Sequence, residues 1–94
     1  MIIGLQEMSA LNEKVKNCYH DLDALLRQLQ NFEKRYQMPS QEFFKKFASG
    51  SLPHKSDFLE WYAYLDRSKK LVGKIRELER ELGDVVEQKL LAPA

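Results

Sequence analysis

The first third of the chain carries apolar residues at alternating steps of three and four over four heptads. This spacing places them on one face of an α-helix, as in helices that pack side by side at a shallow angle. No proline or glycine interrupts the pattern between Leu5 and Met38. The pattern predicts a first helix over residues 5–37, ~50 Å long at about 1.5 Å per residue. Its apolar seam consists of Met8, Leu11, Val15, Cys18, Leu22, Leu25, Leu29, Phe32 and Tyr36.

Pro39 ends this pattern, because proline cannot donate to the preceding turn and restricts the residue before it to extended geometry. A short second helix is predicted over residues 40–48, where Phe43, Phe44 and Phe47 share one face. A helix of fewer than about ten residues is marginal alone, so this phenylalanine face must hold it. Gly50 is the predicted left-handed stop.

A second long helix is predicted over residues 57–90. Asp57 and Glu60 have the spacing of a capping box, with Ser56 as the alternative cap. Gly73 and Gly83 each cost roughly 1 kcal/mol relative to alanine inside a helix, so we expect a bend or fraying near Gly83. The apolar face consists of Phe58, Trp61, Tyr62, Leu65, Leu71, Ile75, Leu78, Leu82 and Val85.

Together these elements predict an all-α fold in a single domain of 94 residues. The two long helices should form an antiparallel hairpin joined by the short helix. A chain of this size buries only a modest core, so we expect a homo-oligomer or a partner. A dimer is favoured, but seams of mixed Leu, Val, Met and Cys do not separate a dimer from a tetramer. The predicted aromatic end of the bundle consists of Phe43, Phe44, Phe47, Phe58, Trp61 and Tyr62.

The charges of the third predicted helix are segregated into two blocks. An antiparallel copy of the same helix would place one block opposite the other, which predicts a twofold dimer centred near Arg76 and Glu77. A solvated surface with blocky charge is the alternative, because exposed ion pairs contribute little. The basic block is Arg67, Lys69, Lys70, Lys74 and Arg76, and the acidic block is Glu77, Glu79, Glu81, Asp84 and Glu87.

Composition and charge exclude several classes of protein. The net charge of +1 is far from that of a basic nucleic-acid binder. The apolar runs are far shorter than the roughly 20 residues of a membrane span, and the start of the chain lacks a signal-peptide pattern. We therefore expect a cytoplasmic protein without a membrane or nucleic-acid partner.

The sequence offers no strong catalytic, cofactor or metal site. Cys18 lies on the apolar seam while His20 does not, so a packed core cysteine is favoured over a thiol or metal site. His54 is interpreted as a solvated turn residue rather than a general base. The sequence therefore predicts a protein that is not an enzyme and needs no cofactor.

The aromatic stretch around the short helix also resembles a motif of known proteins. That motif is Y-x-M-S-x-E-E-F-x-x-x-F-x-x-G-x-L followed by D-F-x-E-W, found in small prokaryotic proteins that resemble antitoxin partners of type II toxin–antitoxin systems. The chain departs from it at Pro39, Gln41 and the Pro53–Lys55 loop. The matching residues are Tyr36, Met38, Glu42, Phe43, Phe47, Gly50, Leu52, Asp57, Phe58, Glu60 and Trp61.

Two function classes follow. The resemblance implies a helical protein–protein interaction module, an antitoxin-type regulator that binds a small partner protein. The alternative is a structural or scaffolding coiled-coil-like homodimer whose long helices are themselves the function. Under the first hypothesis the partner would contact Trp61, Tyr64, Leu71, Ile75, Leu78, Leu82 and Val85.

Overall fold

The computed structural model describes the backbone of residues 3–91 and the side chains of residues 6–87. It contains three α-helices, which are α1 (Ile3–Tyr36), α2 (Ser40–Ala48) and α3 (Ser56–Leu91). All regular secondary structure in this part of the chain is helical, so the all-α class is confirmed. None of these helices is long and apolar enough to cross a membrane.

The two long helices pack along each other as an antiparallel hairpin. Near the short helix, Phe32 of α1 stacks on Trp61 of α3 with ring centroids 5.6 Å apart. Far from it, Cys18 lies in one cluster with Ile75 and Leu78. Contacts that move backward along α1 therefore move forward along α3. The molecule measures 62 × 22 × 17 Å, so most of its length is one layer of two helices.

The predicted seam of α1 is confirmed by burial. Each of its nine residues is buried or half-buried, and Cys18 is a packed core residue with 7% exposure. Steps of three and four produce this result because they keep successive side chains on the side of α1 that faces α3.

The core consists of two clusters with a polar position between them. The hub cluster lies around Trp61 and Phe43, which are both fully buried. The distal cluster is centred on Cys18 and Ile75. Ser68 lies between them on α3 with 7% exposure, and its hydroxyl donates to the Tyr64 carbonyl at 2.8 Å. That internal bond satisfies a serine at a position where the seam otherwise has apolar residues.

The N-terminus of α2 is held by side chains from both long helices. The Glu33 carboxylate accepts a hydrogen bond from the Ser40 backbone N–H at 2.7 Å. The Ser40 hydroxyl accepts another from the Trp61 indole N–H at 3.0 Å. Pro39 occupies the cap position and makes no side-chain capping bond. Glu33 therefore supplies from α1 the acceptor that a local serine or aspartate cap would provide.

The predicted left-handed stop at Gly50 is confirmed, and α1 ends before Pro39 at a second left-handed residue, Gln37, which was not predicted. After α1, Gln37 adopts a φ of 52° and the Met38 N–H donates to the Glu33 carbonyl at 3.2 Å. After α2, Gly50 has a φ of 79° and the Ser51 N–H donates to a carbonyl of the last turn at 2.9 Å. These bonds close each helix with a left-handed residue that satisfies its last carbonyls.

The predicted capping box at the start of α3 is wrong. The Asp57 carboxylate accepts hydrogen bonds from Tyr36 and from Arg35, the latter at 2.8 Å, instead of capping its own helix. The Lys55 carbonyl accepts the first helical bonds, from Phe58 and Leu59 at 3.0 Å each. Asp57 thus joins the end of α1 to the beginning of α3, which the spacing to Glu60 does not reveal.

Candidate protein-binding surface

Three of the seven predicted partner-contacting residues are buried in the core of the hairpin. Trp61, Ile75 and Leu78 are 0%, 4% and 8% exposed, so a partner cannot reach them in the folded chain. The other four are half-buried at the edges of the seam. Contact with a partner thus stays a prediction for Tyr64, Leu71, Leu82 and Val85.

One side of the hairpin carries a groove of about 660 Å³ between α1 and α3, which we call the basic groove. It lies beside Leu25 and Leu71, at the level where Ser68 separates the two core clusters. Its floor is largely apolar and its α3 rim is basic. The lining residues are Asp21, Ala24, Leu25 and Gln28 of α1, and Tyr64, Arg67, Lys70, Leu71 and Lys74 of α3.

A second concavity, of about 470 Å³, lies between the same two helices toward the far end. We call it the acidic groove, because three of its charged residues are carboxylates and one is a lysine. Its lining residues are Glu7, Ala10, Leu11, Lys14, Glu81, Asp84 and Val85.

The two grooves lie on the same side of the hairpin. On α1, Glu7 and Lys14 of the acidic groove are followed by Asp21 and Gln28 of the basic groove, each seven residues after the last. Residues seven apart stay on one flank of helices that pack along each other. We call this side of the hairpin the groove face.

On α3 the groove face carries a single stripe of six charged residues at steps of three and four. All six are exposed, and their sign changes once, from basic to acidic. Among the described side chains, Lys70 alone of the six has an ion-pair partner, the Asp66 carboxylate at 2.9 Å. The stripe consists of Arg67, Lys70, Lys74, Glu77, Glu81 and Asp84.

Other charges of the same two blocks lie elsewhere. The Lys69 ammonium sits 3.4 Å from the centroid of the Phe44 ring, on the side that α2 covers. The Glu79 carboxylate accepts a hydrogen bond from Tyr19 at 3.2 Å, which raises the pKa of that phenol. The charged blocks visible in the sequence are therefore divided between two flanks of the hairpin. On the groove face the stripe has three basic residues followed by three acidic residues, with none of the opposite sign between them.

The positive charge of Lys70 in the basic rim is stabilised by the neighbouring Asp66 carboxylate. The Asp66 carboxylate raises the pKa of the Lys70 ammonium, first by its hydrogen bond and then by its charge. Lys70 is therefore cationic at neutral pH, as lysine is in water. A neighbouring surface with carboxylates would find three cations beside an apolar floor, at Arg67, Lys70 and Lys74.

The residues considered for chemistry do not assemble a site. Cys18 is buried in the distal cluster while His20 is exposed. His54 is exposed, and its ring stacks on Phe47 with centroids 5.4 Å apart. Within the described residues, no three His, Cys, Asp or Glu side chains are arranged to hold a metal ion.

The fold and this surface define a class: a two-layered aromatic hub from which a long helical hairpin extends with one grooved, charge-segregated face. No protein-family model matches the chain, and searches of curated proteins and of solved structures find no significant match. The resemblance to antitoxin partners therefore stays an expectation drawn from the sequence motif.

The sequence interpretation missed the contribution of α1 to this surface. A signal was present, because Glu7, Lys14, Asp21 and Gln28 follow one another at heptad spacing beside the apolar seam. Their importance depends on which flank of α1 lies beside the charged stripe of α3. That information comes from the packing of the hairpin.

Proposed function

We propose that this chain is a non-enzymatic protein–protein interaction module that binds another helical surface through its groove face. The observation that carries the proposal is the basic groove, which has an apolar floor at Leu25 and Leu71 beneath a rim of three cations. Amphipathic helices bind grooves of this kind through apolar anchors, and charges at the rim select and orient the partner.

The shape of the molecule supports the proposal. Beyond the hub the hairpin is a single layer of two helices, and one layer leaves its two faces uncovered. The half-buried residues Tyr64, Leu71 and Val85 lie along the groove face, where another helix would exclude water from them. Burial of such residues is the main favourable term in association.

The motif resemblance suggests the biological role. It would make the chain an antitoxin-type regulator whose partner is a small protein, and such a partner would engage the groove face. The second candidate function is a structural or scaffolding homodimer. That candidate is favoured by the single change of charge sign along the α3 stripe of the groove face.

A charged residue placed on the groove floor tests the proposal. Ala24 is exposed and lines the basic groove, so Ala24→Glu puts a carboxylate where it neutralises the rim and fills the floor. Ser9→Glu is the matched control, because Ser9 is an exposed residue of the same helix that lines neither groove. Glutamate is a good helix former, so both variants should keep their helicity.

Tagged wild-type and variant chains would be expressed at native level in the source cells, captured, and analysed by mass spectrometry. We expect the wild type to recover one protein in near-equal amount, either a different protein or an untagged copy of the chain. With Ala24→Glu the recovery of that protein should fall at least about ten-fold. Its recovery with Ser9→Glu should be unchanged. Equal recovery with both variants would show that the groove face is not the binding surface.

A further inference from the structure

We propose that the partner of the groove face is a second copy of this chain, docked antiparallel so that each basic groove covers the other copy's acidic groove. This inference rests on the function proposed above and names the partner. It is carried by the order of charges along both helices of the face.

On α3 the six charges of the stripe are self-complementary about one point. When the helix is paired with an antiparallel copy of itself about the midpoint between Ile75 and Arg76, every basic residue meets an acidic one. A parallel copy would place like charges opposite each other, which is unfavourable. The antiparallel pairs are Arg67 with Asp84, Lys70 with Glu81, and Lys74 with Glu77.

The groove-face residues of α1 obey the same symmetry. Pairing about the midpoint between Asn17 and Cys18 places Lys14 opposite the second copy's Asp21 and Glu7 opposite its Gln28. In this arrangement the lone carboxylate of the basic groove meets the lone ammonium of the acidic groove.

The two midpoints lie at the same level of the hairpin. Cys18 packs in one cluster with Ile75, and these residues adjoin the α1 and α3 midpoints respectively. A single twofold axis across the groove face can therefore generate both sets of pairs at once. The charged positions of α1 and α3 can share one twofold axis only if their two midpoints lie side by side in the hairpin. The packing of Cys18 with Ile75 places them side by side.

The apolar content of the face fits the same arrangement. Stacking two hairpins by this axis gives a four-helix bundle, in which each long helix buries two flanks instead of one. The half-buried Tyr64 and Leu71 then become part of an interior. The geometry leaves α2 on the opposite flank, where Phe44 and Lys69 are in contact, so the hub does not obstruct the second copy.

Complementary charge reversal tests the inference. The first variant carries Arg67→Glu, Lys70→Glu and Lys74→Glu, and the second carries Glu77→Lys, Glu81→Lys and Asp84→Lys. Each variant changes six ion pairs of the dimer, because each of the three pairs occurs twice. A loss of about two-fold for each pair weakens self-association about 60-fold. Mixed in equal amounts, the two variants should form a heterodimer at the wild-type affinity or tighter.

The matched control carries Lys16→Glu, Arg27→Glu and Lys34→Glu. It has the same net charge as the first variant, changes one arginine and two lysines at exposed sites, and breaks one exposed ion pair within a helix, Arg27 with Asp23. None of these three residues lines either groove, so its self-association should match the wild type.

Sedimentation equilibrium at low and high salt measures the association, and circular dichroism shows that each variant is folded. The wild type should be a dimer whose dissociation constant rises with salt. Disulfide trapping then tests the register. In a mixture, a chain with Arg67→Cys should form a disulfide with a chain that carries Asp84→Cys. Two chains with Arg67→Cys should not cross-link to each other, because their copies of residue 67 lie about 25 Å apart along the helix axis.

The outcomes separate the two proposals. A wild type that stays monomeric at low salt, or variants that do not recover when mixed, would overturn the self-docked arrangement. If the wild type is monomeric but an identified different protein is lost with Ala24→Glu, the groove face binds that protein and only the second copy is excluded. If neither is observed, both proposals fail.

Discussion

The hydrogen bond from Trp61 to Ser40 gives a direct test of what holds α2 on the hairpin. Trp61 and Ser40 are 0% and 8% exposed, and the indole nitrogen and the hydroxyl oxygen are 3.0 Å apart. Ser40→Ala removes the acceptor and leaves a buried N–H without a partner. Stranding a buried donor costs about 1–3 kcal/mol, so we expect the free energy of unfolding to fall by about 2 kcal/mol.

Urea denaturation measures this change, with fluorescence from Trp61, the one tryptophan of the chain, as the signal. For a domain of this size a loss of about 2 kcal/mol should also lower the Tm by roughly 8–16 °C. The control is Ser9→Ala at an exposed position of α1, which should change stability by less than about 0.5 kcal/mol.

A double-mutant cycle with Trp61→Phe isolates the bond from the loss of ring area. Phenylalanine keeps an aromatic ring in the hub and removes the donor, so Ser40→Ala should cost less in that background. We expect a coupling energy of about 1 kcal/mol or more, measured by circular dichroism. A coupling of zero, or an unchanged stability for Ser40→Ala, would refute the assignment of this bond as the anchor of α2.

Three further predictions concern the helices and their junction. Gly73→Ala and Gly83→Ala should each raise the free energy of unfolding by about 1 kcal/mol, because an added Cβ meets no atom within 4 Å, whereas Gly50→Ala should lower it because its φ is 79°; urea denaturation of the three variants checks the signs. The hydrogen bonds from α1 lower the pKa of the Asp57 carboxyl below its ordinary value of 3.8, so its contribution is present above that pH and is lost as the pH falls through the folded-state pKa. Asp57→Asn should therefore lose less stability than the wild type between about pH 5 and pH 2, and parallel pH profiles of the two would contradict this. Glu33→Ala removes the acceptor for the first N–H of α2 and should cost about 1 kcal/mol, with faster amide exchange in α2 than in the distal half of α3.

The helices were predictable because their signals are local. Steps of three and four define a helical face, Pro39 and Gly50 mark the ends of segments, and these effects need no knowledge of distant residues. The structure has helices over residues 3–36, 40–48 and 56–91, within two residues of the predicted ends. The burial of the α1 seam was predictable for the same reason. Each long helix has one apolar face, and both faces are removed from water when they pack against each other.

Contacts that join distant segments were not predictable in this way. Asp57 has the spacing of a cap, yet Arg35 and Tyr36 lie close enough in space to bond its carboxylate instead. Glu33 caps a helix that begins seven residues later, which is an arrangement created by the turn between α1 and α2. In both cases local N-capping, which is worth about 1 kcal/mol, is replaced by hydrogen bonds between helices, and these form only when the chain is folded.

The sequence by itself determined the helices, their apolar faces and the segregation of charge along the third helix. The tertiary structure alone decided which charges share a face, because α2 covers one flank of α3 and leaves the other open. It thereby assigned Lys69 to the hub and Lys70 to the groove face, although the two residues are adjacent. Neighbouring helical residues point about 100° apart, so only the positions of the other helices determine which of them can meet a partner.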